Sequence, residues 1–328
     1  MVGLPNQGPL SDSPSVLLVR LDAVGDALTL VPVIAALRRH NLRIGAVLRP
    51  GNAQVFSQRA LDRIHIANGD EAALTAQIRS ERYAAALIPT EKPEGYRLPY
   101  RARIPRRVGF DNGWGKPLKT LWIRRMCTRT LFRTAGLDPR APHECEVVFS
   151  LARALVGEFE PARDARVLRQ YVIDEEPPAD ERIAFQVTDK WERLGASLED
   201  VVQLARRIGE RRAVRFIAAQ HEADYADAFA QAAGVQIERF ESLEPWKNAV
   251  AAARAIVAPD SGAVHVAGMA GTPVVACFSA EHFALQSRRW APWAAPHRVV
   301  SLEASWPLVA ADALEDLLTD SARFSYTG

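Results

Sequence analysis

At 328 residues the chain has room for two domains with full cores, because about 100 to 200 residues make one. Apolar residues at 48% and charged residues at 24% are the balance of a soluble globular protein, and a formal net charge of +2 does not by itself predict nucleic-acid binding. Cys127, Cys145 and Cys277 are odd in number and lack the paired spacings of a zinc site or a disulfide framework, which points to a reducing cytoplasm. The first residues, "MVGLPNQGPLSDSPS", lack the basic start and apolar core of a signal peptide, and no apolar run reaches the roughly 18 residues of a membrane span.

In chain order, short apolar runs alternate with helical patterns. "SVLLVRL" (15–21) reads as a strand, followed by a turn at Gly25, a helix start at Asp26 and an amphipathic helix in "ALTLVPVIAALRRH" (27–40). "LRIGAVL" (42–48) and "AAALIPT" (84–90) are further strands. A charged, proline-containing stretch at 159–181 reads as an interdomain linker, so we expect domains at 1–168 and 169–328. The pattern then resumes with "RIAFQV" (182–187), a helix in "SLEDVVQLARRIGE" (197–210), "AVRFIAA" (213–219) and "RAIVAPD" (254–260). The last amphipathic stretch, "PLVAADALEDLLTDSARF", has no assigned partner and could pack back on the N-terminal domain. Repeated β-α units with mostly parallel strands imply an α/β protein with two Rossmann-like domains.

Two strand-turn-helix segments carry the chemistry. In "APDSGAVHVAGMAGTPVVACF" (258–278) a strand feeds a helix of Gly, Ala and Val and then a second strand. Free N–H groups at the start of such a helix suit a diphosphate, with Ser261 as a natural N-cap and Gly262 permitting close approach. An ordinary close helix-sheet contact explains the small residues equally well. Asp260 lies where open α/β sheets bind ligands, at the carboxyl end of a strand. His265 suits a satisfied structural histidine as well as a ligand contact. Asp26 can be a plain helix cap or a catalytic carboxylate. By themselves Lys190 and Glu222 read as solvated charges at helix starts.

Together these segments resemble the bacterial heptosyltransferases of glycosyltransferase family 9. The N-terminal signature of that family is matched by Arg20, Gly25-Asp26, Pro32 and Leu37, and the C-terminal signature by the Asp-Ser-Gly, His, Ala, Gly and Pro of 260–273. Intermediate matches are "RRVGFD" (106–111), "HECE" (143–146), "TDKW" (188–191) and "HE" (221–222). The resemblance implies a GT-B glycosyltransferase whose two Rossmann-like domains flank a cleft, the first taking the acceptor and the second an ADP-activated heptose. It implies inversion at the sugar carbon, with Asp26 as the base, Lys190 and Thr188 on the phosphates, Glu222 on the ribose, and Asp260, Ser261, Gly262 and His265 against the donor. The family's small-residue loop after the first strand of the second domain is missing, since "AFQVTDKWERLGAS" runs almost directly from strand to Lys190. No Asp-x-Asp occurs in the sequence, which favours a metal-independent transfer needing no cofactor besides the donor.

Residues 97–133 hold eleven Lys or Arg and a single acid, Asp111, with Trp114 and Trp122 interleaved. A solvated basic face accounts for this as readily as an anion-binding surface does. In a protein resembling heptosyltransferases, Arg103, Arg106 and Arg107 are expected to meet an anionic lipopolysaccharide-core acceptor, with peripheral contact at the inner membrane face. No recognisable nucleic-acid module is present. "RRWAPW" (288–293) reads as packing.

Overall fold

The computed structural model describes residues 14–133, 140–157 and 160–325. The chain divides into two compact units, Met1–Ala162 and Arg163–Gly328. In the first, β1 (Ser15–Arg20), β2 (Arg43–Leu48), β3 (Arg63–Ile66), β4 (Ala85–Ile88), β5 (Arg106–Asp111) and β6 (Arg129–Phe132) form a parallel sheet in the order β3-β2-β1-β4-β5-β6. In the second, β7 (Asp180–Gln186), β8 (Val214–Ala219), β9 (Ile237–Phe240), β10 (Ala253–Pro259), β11 (Val274–Phe278) and β12 (His297–Ser301) repeat it as β12-β11-β10-β7-β8-β9.

Both sheets are doubly wound, so the direction of winding reverses between β1 and β4 and again between β7 and β10. Such reversal points leave a crevice outside the carboxyl ends of the strands, which is where ligands bind in this architecture. Central strands are covered by helices on both faces: β1, β4 and β11 are buried throughout, β4 and β11 apolar from end to end and β1 apolar between Ser15 and Arg20.

The stretch 159–181 is less bare than its composition suggests. It contains the helix Ala165–Arg169, capped by Asp164, whose carboxylate accepts the Arg166 N–H at 2.9 Å. Leu168 is buried, and Arg169 donates to the carbonyls of Ala270 and Ala251 at 2.6 and 3.1 Å. The short helix is therefore anchored to the second unit, and its charged residues make contacts that a sequence pattern cannot display. The final helix, Trp306–Ser325, lies along the helix Leu198–Gly209 and against β11 and β12 of its own unit.

Helix Gly262–Ala270 shows why small residues follow β10. A side chain at Gly268 would bring its Cβ to 2.8 Å from the Trp293 nitrogen and 3.1 Å from the Pro292 Cα. Backbone therefore runs directly over this helix, and Trp293 is buried there, as packing in "RRWAPW" requires. Gly271 ends the helix at φ +83°, a conformation that glycine adopts without penalty.

Candidate active site

In the first unit β1 ends at Arg20, which is almost completely buried, and the chain turns into the helix Val24–Leu28. The Asp26 carboxylate is fixed through both oxygens: Oδ1 accepts Arg20 Nη2 at 2.5 Å, and Oδ2 accepts the Ala23 N–H at 3.1 Å. The helix begins at Val24, so Asp26 is its third residue and not its N-cap; it reaches back to the N–H of the N-cap residue Ala23, and stays 27% exposed with lone pairs to spare. Arg20 also donates to the Pro89 carbonyl beyond β4, and it stands 3.5 Å from Asp22 and 3.7 Å from Glu144.

Glu144, the first residue of helix Glu144–Val156, is wholly buried and accepts Arg133 Nη2 at 2.7 Å. Arg133 in turn lies 3.5 Å from Glu91. Arg20, Asp22, Asp26, Glu91, Lys92, Pro93, Lys119 and Arg133 line a cavity of about 560 Å³. Since Asp22 and Asp26 follow β1 while Glu91 and Lys92 follow β4, this cavity sits at the reversal point of the first sheet. Arg133, Glu144, Lys92 and Lys119 were missed as site residues in the sequence. The "HECE" and Arg20 matches were the signals pointing to part of this cluster.

The second unit gathers its motif residues in the equivalent place. The register pairs Phe185 of β7 with Val257 of β10, so Thr188 and Asp260, each three residues further on, emerge at the same sheet edge. Thr188 donates its hydroxyl to Glu222 Oε1, and the Lys190 N–H bonds back to the Thr188 oxygen at 3.3 Å. Burial raises the Glu222 pKa above the usual carboxylate range, against the opposing effect of the Thr188 hydrogen bond. Ser261 occupies the N-cap position of helix Gly262–Ala270 but makes no capping bond with its side chain. Its Oγ is shut off from solvent with no hydrogen-bond partner. His265 is buried with its ring edge-on to Trp290 at 5.6 Å, and its Nε2 lies 4.0 Å from Asp260. A packing role for the imidazole is thereby filled.

Arg103, Arg106 and Arg107 lie elsewhere. Arg106 opens β5 and pairs in register with Ala85, which pairs with Val16 at the start of β1. They therefore stand at the amino edge of the sheet, opposite Arg20 and Asp26. Arg107 donates to the carbonyls of Met126 and Ile104, and with Arg79, Tyr100, Arg101 and Arg103 it lines a separate cavity of about 730 Å³. The cations brought to Asp26 are Arg20, Lys92, Lys119 and Arg133.

Comparison with known proteins fits this geometry. The model of glycosyltransferase family 9 (heptosyltransferase) matches residues 202–315. A glycosyl transferase family 9 structure from Veillonella parvula DSM 2008 is similar with a TM-score of 0.74 at 15% identity, covering 94% of this chain and 98% of its own. E. coli ADP-heptose lps heptosyltransferase II gives a TM-score of 0.69 at 16% identity, with 94% and 99% covered. E. coli heptosyltransferase WaaC with ADP gives 0.68 at 18%, with 93% and 99% covered. Among curated protein sequences nothing matches the chain. Two Rossmann-like units of GT-B type, with the family 9 match lying inside the second, identify the chain as a glycosyltransferase that resembles the family 9 heptosyltransferases.

Proposed function

We propose that the chain is an inverting, metal-independent glycosyltransferase that moves a heptose from ADP-heptose to an anionic acceptor of the lipopolysaccharide inner core. It does so at the cytoplasmic face of a membrane. The second unit holds the donor: Thr188 and Lys190 meet the diphosphate with the N–H groups at the start of helix Gly262–Ala270, Glu222 meets the ribose, and Asp260, Ser261 and His265 bound the sugar side. The first unit holds the acceptor, whose anionic groups meet Lys92, Lys119 and Arg133. Asp26 takes the proton from the acceptor hydroxyl as its oxygen bonds to the anomeric carbon. The bond from that carbon to the diphosphate breaks on the opposite face, and ADP leaves with its new negative charge held by Lys190 and the helix dipole.

The Arg20–Asp26 pair carries this proposal. A capping carboxylate held by a buried guanidinium keeps one orientation, and its remaining lone pairs face a cavity rich in cations. Similar structures that hold ADP and ADP-2-deoxy-2-fluoro heptose support an ADP-sugar donor. A thermal-shift screen of ADP-, UDP- and GDP-sugars tests the donor: a ligand at 100 times its Kd stabilises by roughly 2.7 kcal/mol, and ADP compounds should stand out. A shift confined to UDP- or GDP-sugars rejects the donor. Binding without transfer of heptose to a heptose-free core acceptor rejects the transferase reading.

A further inference from the structure

The helix Pro117–Met126 and the turn before it present apolar side chains that the core does not use. Trp114, Leu118, Leu121 and Phe132 are 92%, 83%, 70% and 67% exposed, while the helix buries Thr120 and Ile123 on its other side. Leu118, Leu121 and Arg125 follow one another at turn spacing and so share a face. The Phe132 ring reaches to Gly113, so the outer end of edge strand β6 joins the same patch. Contiguous exposed apolar surface of this kind marks an interaction site. Its surroundings are rich in cations: residues 113–133 contain six Lys or Arg and no Asp or Glu, and while Arg124 pairs with Asp111, Arg133 with Glu144 and Lys119 with Glu91, Lys116, Arg125 and Arg129 carry charge beside the apolar side chains.

We propose that this surface seats the chain on an anionic lipid bilayer, with Trp114, Leu118, Leu121 and Phe132 in the interface and Lys116, Arg125 and Arg129 against headgroup phosphates. Apolar side chains flanked by Lys and Arg define a helix that lies in the plane of a membrane. The charge argues against the other occupant, a second copy of the chain. A two-fold interface brings a patch onto itself, and here that would set Lys116, Arg125 and Arg129 of one copy against the same three cations of the other. Lys119 of the same helix lines the cavity containing Asp26, so a docked helix stands beside that cavity. The proposal rests on the reading above only in supplying a lipid-borne acceptor to that cavity; the docking itself is independent of it. No described helix is long and apolar enough to cross a membrane, so docking would be peripheral.

Sedimentation of the full chain with vesicles tests it. Wild type should bind phosphatidylglycerol–phosphatidylcholine vesicles, release them in high salt and bind pure phosphatidylcholine weakly. The double variant Leu118→Ser/Leu121→Ser and the double variant Lys116→Glu/Arg125→Glu should each weaken partitioning by at least about tenfold, with unchanged melting temperature and ADP affinity. Equal partitioning of wild type and both variants overturns the proposal. So does a wild type that ignores anionic vesicles but forms dimers that the leucine variant breaks, which assigns the face to a second copy. Loss of ADP binding in every protein tested sinks the donor reading and leaves the vesicle result intact, so the two failures are told apart.

Discussion

Asp26→Asn separates a catalytic carboxylate from a helix cap. At an ordinary N-cap the substitution is nearly silent, because Asn and Asp cap about equally. Here the carboxylate meets two donors, Arg20 Nη2 at 2.5 Å and the Ala23 N–H at 3.1 Å. An amide has one acceptor oxygen, so whichever donor that oxygen keeps, the amide nitrogen confronts the other. Arg20 also loses its nearest anion while Asp22 and Glu144 stay at 3.5 and 3.7 Å. One lost charged hydrogen bond beside a buried guanidinium costs about 1–3 kcal/mol. For a unit of the size of Met1–Ala162 that lowers the melting temperature by roughly 2–10 °C and leaves the protein folded. Loss of a general base removes a further ~10² to 10⁴ in turnover, a loss belonging to kcat. Calorimetric melting, ADP-heptose affinity and single-turnover transfer measured on one preparation distinguish these effects. Turnover within about tenfold of wild type, in a variant showing the expected melting shift, would refute the base assignment and leave Asp26 a structural cap.

Lys190→Ala should weaken ADP binding by about 10- to 150-fold, the equivalent of a charge-assisted hydrogen bond, and unchanged affinity by titration calorimetry would return Lys190 to the solvated surface. Glu222 has a raised pKa in the folded chain, so its contribution to stability is greatest below the ordinary glutamate range and is lost as pH rises through the folded value. Glu222→Gln should therefore raise the melting temperature of the ligand-free chain near neutral pH, with the gain shrinking toward pH ~4; a gain that grows on acidification contradicts the burial argument. Gly268→Ala pushes a methyl group to 2.8 Å from the Trp293 backbone and should destabilise by about 1–3 kcal/mol, whereas an unaltered melting curve would show that the Pro292–Trp293 segment gives way freely.

Legibility in the sequence follows exposure. Strands β1, β2, β4, β7, β8 and β10 stand out as apolar runs because helices cover them on both faces. The outermost strands β3, β6, β9 and β12, with sequences "RIHI", "RTLF", "IERF" and "HRVVS", carry charges and exposed positions, as sheet edges do, and their pattern dissolves into loop. The motif residues were legible because each lies one to three residues beyond a strand or in the first turn of a helix. Partners from distant elements were not: Glu144 meets Arg133 and Arg20 only through the fold. Arg103, Arg106 and Arg107 attracted attention through local charge density, but charge density does not report which end of a strand it sits on. The β5 register supplies that information.

The Arg20 cluster explains more than any single motif position. A buried ion pair is weak evidence for stability, since desolvating two charges roughly offsets their attraction and apolar residues of equal volume often do as well. Asp22, Asp26 and Glu144 nevertheless surround one guanidinium that is almost wholly buried at the end of the central strand. Arg20 also grips the Pro89 carbonyl, so it ties the ends of β1 and β4 together where the sheet reverses its winding. Those two strand ends supply Asp22 and Asp26 from one side and Glu91 and Lys92 from the other. Arginine suits this position because its planar fork can hold a carbonyl and a carboxylate at once, which a lysine ammonium on a flexible stem does less rigidly. What the buried charge provides is a fixed bearing for the Asp26 carboxylate relative to the cations across the cavity, and a base that must meet one hydroxyl in one orientation depends on that bearing more than on added stability.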